Sequence, residues 1–305
     1  MRRTAALGMV LLLTAGLLRA QGSRPPETFG VDLDVVSVTA VIHDKAGNAV
    51  RGLGPGDVEL FEDGVPQTLS YFQEAGGPGA KIPLSVVMVL DTSGSMRSNL
   101  RFLREAGINF VRKLENVDTL MVVDFNETVR GSAEFTGDVD HLERFIEGLD
   151  AWGGTSLYDA LHYALERVRD RPGRKAVVVF SDGADTTSSL RGKEVTEFAR
   201  AVEATIYCIG ISGEGGTPRG FLKRIAAESG GRFFQPGKVG DLLTVFGEIS
   251  AELHSHYAMG YTPLRPPDGT WRRIELRVHR PNVDVRVRQG YLAVKRRRRQ
   301  AGGTR

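Results

Sequence analysis

The 305-residue chain is 41% hydrophobic and 25% charged, ordinary globular material with length for one large domain and a smaller module. Its formal charge of +3 depends on Arg2, Arg3 and Arg19; without that leader the chain is about neutral, so charge predicts no nucleic-acid partner. The single cysteine, Cys208, excludes an intrachain disulfide, and its place in the apolar run Ile206 to Ile211 predicts a buried, inert thiol.

The amino terminus has the order that export machinery reads: Arg2 and Arg3, an apolar run from Ala5 to Leu18, then the small residue Ala20. Residues 1–20 are therefore expected to be a signal peptide, with the mature chain starting near Gln21 in a secreted, periplasmic or cell-envelope location. The run is too short to favour a membrane span, and no later transmembrane segment is expected. Leu18 is larger than the residue usually found three before a cleavage point, which leaves an uncleaved anchor as the alternative.

Residues 21–75 read as an N-terminal β module. Val36, Val38, Ala40 and Ile42 alternate, and short runs follow at Val58 to Phe61 and Thr68 to Phe72, separated by turn-forming segments such as Glu62-Asp63-Gly64. A Gly/Pro-rich linker from Ala75 to Ala80 marks a change of rhythm.

Over residues 81–255 strands alternate with helices. Near-continuous apolar strands are predicted at Leu84 to Leu90, Leu120 to Val123, Ala176 to Phe180 and Ile206 to Ile211, a pattern that suits a sheet covered on both faces. Helical periodicity appears over Leu142 to Leu149, Leu157 to Val168, Val195 to Val202, a segment ending near Ser229, and Asp241 to Leu253. Ser156 and Asp159 stand at capping-box spacing. The fold class predicted is α/β, a doubly wound and mainly parallel sheet, whose ligands bind at the carboxyl ends of its strands.

Residues 256–294 turn β-like again, at Tyr257 to Thr262, Trp271 to Val278 and Val283 to Val287. These strands are expected to pack on the N-terminal module as one sandwich of roughly seven strands with the α/β domain inserted between, since neither segment alone buries a face. Residues 295–305 are expected to be a disordered basic tail, Lys295 to Arg299 being its charged run.

The first parallel strand ends in Asp91-Thr92-Ser93-Gly94-Ser95. With Thr155 in Gly153-Gly154-Thr155 and Asp182 in Ser181-Asp182-Gly183, this DxSxS sequence resembles the metal-ion-dependent adhesion site of von Willebrand factor type A domains. The resemblance covers about residues 81–255. It implies that Ser93, Ser95 and sometimes Thr155 bind a divalent cation directly, with Asp91 and Asp182 often acting through water. The outer β segments, with Glu62-Asp63-Gly64 on one side and Tyr257 to Tyr261 through Gly290-Tyr291 on the other, are similar to the secreted VWFA-related Acidobacterial-type proteins.

Three hydroxyls and two carboxylates offer only hard oxygen donors, which points to Mg²⁺, or Mn²⁺ or Ca²⁺ in its place. Each residue taken singly is also an ordinary helix-capping or loop type; it is the register of all five that argues for a site. Asp159, Asp185 and Arg97 lie nearby as candidate supports or simple surface groups, and His254 and His256 are expected to be structural.

No GxSxG, HExxH, CxxC, Walker A or GxGxxG motif is present, so a binding protein rather than an enzyme is expected. The leading expectation is metal-dependent binding of a protein partner through its Glu or Asp carboxylate. The alternatives are an envelope protein whose metal only stabilises the fold, and an assembly or chaperone factor. Asp91→Ala is expected to abolish metal binding at little cost in fold stability, on the reasoning that the group lies at a solvent-facing edge.

Overall fold

The computed structural model describes residues 35–75, 82–115, 118–132, 134–182, 185–210 and 219–294; the expected signal peptide and basic tail lie outside these. No helix among the described residues is long and apolar enough to cross a membrane.

The described chain opens with β1 (Val36–Asp44), β2 (Val58–Glu62), β3 (Val65–Gln67) and β4 (Leu69–Glu74). Period-two burial puts Val36, Val38, Ala40 and Ile42 of β1 inside. Asp44 ends that strand by accepting the N–H groups of Ala46 and Asn48, both at 2.9 Å, which draws the chain into its turn.

The α/β portion then runs β5 (Leu84–Asp91), α1 (Leu100–Val111), β6 (Thr119–Phe125), β7 (Val129–Gly131), α2 (Val139–Glu147), α3 (Leu157–Arg169), β8 (Arg174–Ser181), α4 (Gly192–Ala201), β9 (Thr205–Gly210), α5 (Arg219–Glu228), β10 (Phe233–Phe234) and α6 (Leu242–Leu253). The sheet order is β10-β9-β8-β5-β6-β7, all parallel except β7 against β6. Every residue of β5 is buried because helices cover both faces. Leu84, Val86, Met88 and Leu90 share a cluster with residues of α1, α2 and α6, whereas Val87 and Val89 face α3, α4 and α5. The predicted doubly wound, mainly parallel sheet is thus the fold observed.

One local expectation needs correction. Ser156 precedes α3 but makes no side-chain cap; its hydroxyl instead meets Thr187 Oγ1 at 2.8 Å, and Ser188 Oγ accepts the free N–H groups of Tyr158 and Asp159 at 3.1 Å. The cap comes from a distant loop, which local spacing cannot reveal. Helix α1 was not among the predicted helices, although Leu100, Leu103, Ala106 and Phe110 carry a buried helical stripe.

The chain closes with β11 (Tyr257–Tyr261), β12 (Trp271–Val278), β13 (Val283–Val287) and β14 (Gly290–Leu292). These interleave with the first strands in two four-stranded sheets, β13-β1-β11-β4 and β14-β12-β2-β3. Their shared core includes Val38, Leu60, Met259 and Ile274. Within it lies a buried ionic knot: Glu62 accepts the hydroxyls of Tyr261 and Tyr291 at 2.7 Å each and the Arg272 guanidinium at 3.2 Å.

His254, His256 and Cys208 are built into the structure. His256 is buried beside Arg174, and burial drives its imidazole down to about 3, so it stays neutral. Cys208 is fully buried, which pushes its thiol well above the ordinary range. His254 Nε2 meets Asp118 Oδ2 at 3.0 Å, tying the end of α6 to the start of β6.

That pair gives a pH prediction. The hydrogen bond to Asp118 raises the His254 pKa above 6.5; burial pushes Asp118 up, but its bonds to His254 and to backbone N–H groups outweigh this and leave it below 3.8. The His254 contribution is complete below pH 6.5 and fades as pH rises through its folded value; that of Asp118 is complete above 3.8 and fades as pH falls through its own. Urea unfolding of wild type and His254→Gln should therefore differ most between pH 3.8 and 6.5, by about 1.5–3 kcal/mol, and the gap should shrink at alkaline pH. A gap that widens with rising pH would contradict this.

Candidate metal site

In the sheet order, β5 is followed in sequence by β6 on one side and joined by β8 on the other, so the chain reverses direction of growth between β5 and β8. The carboxyl end of such a switch point is open, because the flanking connections lead away from it. Asp91 ends β5, and Ser181 ends β8 with Asp182 directly after it. Parallel pairing of Leu90 with Phe180 sets the two termini side by side, and Ser181 Oγ donates to Asp91 Oδ2 at 2.6 Å.

From that point an oxygen chain runs outward. Asp91 Oδ1 accepts the Ser93 N–H at 2.9 Å; Ser93 Oγ lies 3.1 Å from Ser95 Oγ; Ser95 Oγ donates to Asp182 Oδ1 at 2.9 Å. Asp91 and Ser93 are buried at 0% and 1%, whereas Ser95 is exposed, so the chain leads from the end of the sheet to solvent.

Thr155 reaches the same edge through its backbone. Trp152 N–H donates to Thr92 O and Gly94 N–H to Gly153 O, each at 3.0 Å, clamping the two loops together immediately before Thr155. Glycine is needed on both sides of that clamp: a Cβ at Gly94 would stand 3.3 Å from Gly153 O, and Gly153 has φ +69°. Thr155 N–H donates to Thr186 Oγ1 at 2.8 Å and its carbonyl accepts from Thr186 N–H at 2.8 Å, which fixes the loop after Asp182 against it. All five predicted residues thus lie at or just beyond the strand ends on one edge of the sheet, four of them linked through direct bonds.

The neighbours divide by role. Asp159 accepts the N–H groups of Ser189 and Leu190, both at 2.9 Å, and Asp185 accepts that of Tyr158 at 3.2 Å; both brace the loops rather than face the oxygen chain. Arg97 is exposed, with Nη2 3.4 Å from Ala151 O. Trp152, which the sequence reading passed over, is 43% exposed beside the clamp. Its signal was a Trp immediately before Gly153-Gly154-Thr155, visible only once that loop is placed at the site.

Burial raises the Asp91 carboxyl to about 6, with the nearby charge of Asp182 adding to the rise, and burial raises Asp182 as well. Among the described residues neither carboxylate has an ion pair with Lys, Arg or His. Two acids and three hydroxyls with no basic partner make a donor set that fits a hard divalent cation, for which Ser93, Ser95, Thr155, Asp91 and Asp182 are the residues at hand. No cluster of three or more His, Cys, Asp or Glu competes for such an ion among the described residues.

Comparison with known proteins agrees with this geometry. The profile of the von Willebrand factor type A domain matches residues 86–185, a span that contains all five residues. Inter-alpha-trypsin inhibitor heavy chain H4 of Sus scrofa is 29% identical over 168 residues, covering 49% of this chain and 18% of that protein. The chain thus spans about a fifth of the length of the curated relatives it matches. Among solved structures, a von Willebrand factor type A protein from Catenulispora acidiphila superimposes with TM-score 0.53 at 18% identity, covering 78% of this chain and 63% of that one. The vWF domain of the type V pili tip protein Mfa5 from Porphyromonas gingivalis gives TM-score 0.50 at 16% identity, covering 57% and 96%. At these identities the structures speak to fold alone. Matched profile and sheet order agree on a domain of the von Willebrand factor type A kind over residues 86–185 of this chain.

Proposed function

We propose that this is an exported, non-enzymatic binding protein that captures a partner's Glu or Asp side chain at a divalent cation held by the Asp91–Ser95 loop, Thr155 and Asp182. The observation that carries the reading is the chain of hydrogen bonds from buried Asp91 to exposed Ser95, which ends at solvent. A bound ion with two carboxylates near it is roughly neutralised yet accepts one more anionic oxygen. Export rests on the order of residues in the leader, and the metal of choice is Mg²⁺.

Trp152 and Arg97 extend the surface around that position. An exposed Trp beside a charged contact supplies apolar area of the kind that dominates binding hot spots. A random peptide library panned on the Mg²⁺-loaded protein should enrich sequences sharing a Glu or Asp, with binding lost in EDTA and on amidation of that residue. Trp152→Ala should weaken the selected peptides by about 2 kcal/mol. Enrichment that survives EDTA, or no enrichment at all, would contradict the proposal. A large EDTA-induced loss of melting temperature without any capture would favour a metal that only supports the fold.

A further inference from the structure

Far from the metal site, at the amino ends of the parallel strands, a cavity of about 370 Å³ lies in the seam between the α/β sheet and the sandwich. Eight-residue β8 separates the two places by roughly 23 Å at strand rise. One wall comes from the segment entering β8 and the turn between α4 and β9; the other comes from β1, β4 and β12. Its size falls in the small-molecule range, and seams between packed units are where such sites concentrate.

The lining is basic: it includes Arg171, Arg174, Lys175, Arg200 and Arg288 against the acids Glu203 and Glu228, a surplus of three positive charges among the lining residues. Arg200 spends its charge on Glu228, with contacts of 2.9 and 3.2 Å, and Arg288 lies 3.9 Å from Glu203. Arg171 is held instead by neutral acceptors, Ser85 Oγ and Thr119 Oγ1 at 3.2 Å, while Arg174 meets the Leu253 carbonyl at 2.6 Å and His256 Nδ1 at 3.2 Å and feels the charges of Asp118 and Glu115. The bonds of Arg171 fix its guanidinium in position without neutralising it, which prepares that wall for an anion at small entropic cost.

Two aromatic rings complete the cavity. Tyr71 and Trp271 line it while remaining 40% and 37% exposed, so they stand at its mouth, and the Arg200 guanidinium lies 5.1 Å from the Trp271 ring centroid. Tyr71 is anchored by its hydroxyl to Ser37 Oγ at 3.2 Å. From the charge surplus, the size and the rings, we infer that this seam cavity is a second binding site, for a small organic anion carrying a flat apolar portion, independent of the metal.

The test uses anilinonaphthalene sulfonate as probe, with the neutral phenylnaphthylamine as its uncharged counterpart, on the full protein in EDTA. Saturable binding of one sulfonate per chain is expected, at least about tenfold tighter than the neutral compound. Lys175→Glu on one wall and Ser37→Glu on the other should each weaken it by about tenfold or more, with near-ultraviolet circular dichroism unchanged. Non-saturable binding, equal binding of the neutral compound, or undiminished binding in both folded variants would overturn the inference. Because EDTA is present throughout, failure here leaves the metal-site reading intact, and the reverse also holds.

Discussion

Asp91→Ala is expected to abolish Mg²⁺ binding, lowering affinity at least about 100-fold, because it removes the carboxylate on which the oxygen chain is founded. Its effect on the fold differs from the sequence-based expectation. Asp91 is not at a solvent-facing edge but 0% exposed, where it accepts both the Ser93 N–H and the Ser181 hydroxyl. Truncation takes the acceptor from the Ser93 N–H, a cost of about 1–3 kcal/mol, while relieving the burial of a carboxylate already raised to about 6. A net loss of about 1 kcal/mol is expected for the metal-free protein. Asp91→Asn separates the terms: it retains an acceptor oxygen and loses the charge, so it should lose Mg²⁺ with its metal-free melting temperature unchanged. Titration calorimetry and thermal melts read both, and a variant that still bound Mg²⁺ like wild type would remove Asp91 from the site.

Glu62→Ala should have the largest effect on stability, a loss of about 3–5 kcal/mol in urea unfolding. Glu62 is 3% exposed and Arg272 1%, so truncation leaves a guanidinium in the sandwich core with its buried carboxylate partner gone. The hydroxyls of Tyr261 and Tyr291 lose the same acceptor, and Arg265 one of its two acidic partners. Arg272 keeps the carbonyls of Arg265 and Pro266 and its ion pair with half-exposed Asp268 at 3.4 Å, which moderates the damage without replacing the buried carboxylate. Glu62→Gln, which retains an acceptor oxygen, should lie between. A loss below about 1 kcal/mol for the Ala variant would show that the knot adds little to the sandwich.

What could be read from the residues follows from what each signal encodes. The strands of the central sheet were legible because burial on both faces forces near-continuous apolar runs, as in Leu84 to Leu90. The short strands β3, β7, β10 and β14 span three residues or fewer, too few for a period to show. The sandwich has eight strands rather than roughly seven because β3 and β14 extend one sheet on either side.

At the candidate site, residue types and their spacing pointed to Asp91, Ser93, Ser95, Thr155 and Asp182. Their union depends on two long-range facts that no local pattern carries: the register of β5 against β8, and the backbone clamp between Thr92-Ser93-Gly94 and Trp152-Gly153. The same reason hid Ser188 as the cap of α3 and the seam cavity, whose lining is drawn from segments scattered between Ser37 and Gly290. The Glu62 knot was hidden as well, since its members come from β2, β11, β12 and β14.

The most direct measurement is an anomalous difference map from crystals grown with Mn²⁺. The account predicts one strong peak at the carboxyl ends of β5 and β8, bonded by the hydroxyls of Ser93 and Ser95, with Thr155, Asp91 and Asp182 reaching it directly or through one water and an exchangeable position facing solvent. A peak elsewhere, no peak at this edge, or an ion closed on every side by protein ligands would contradict it.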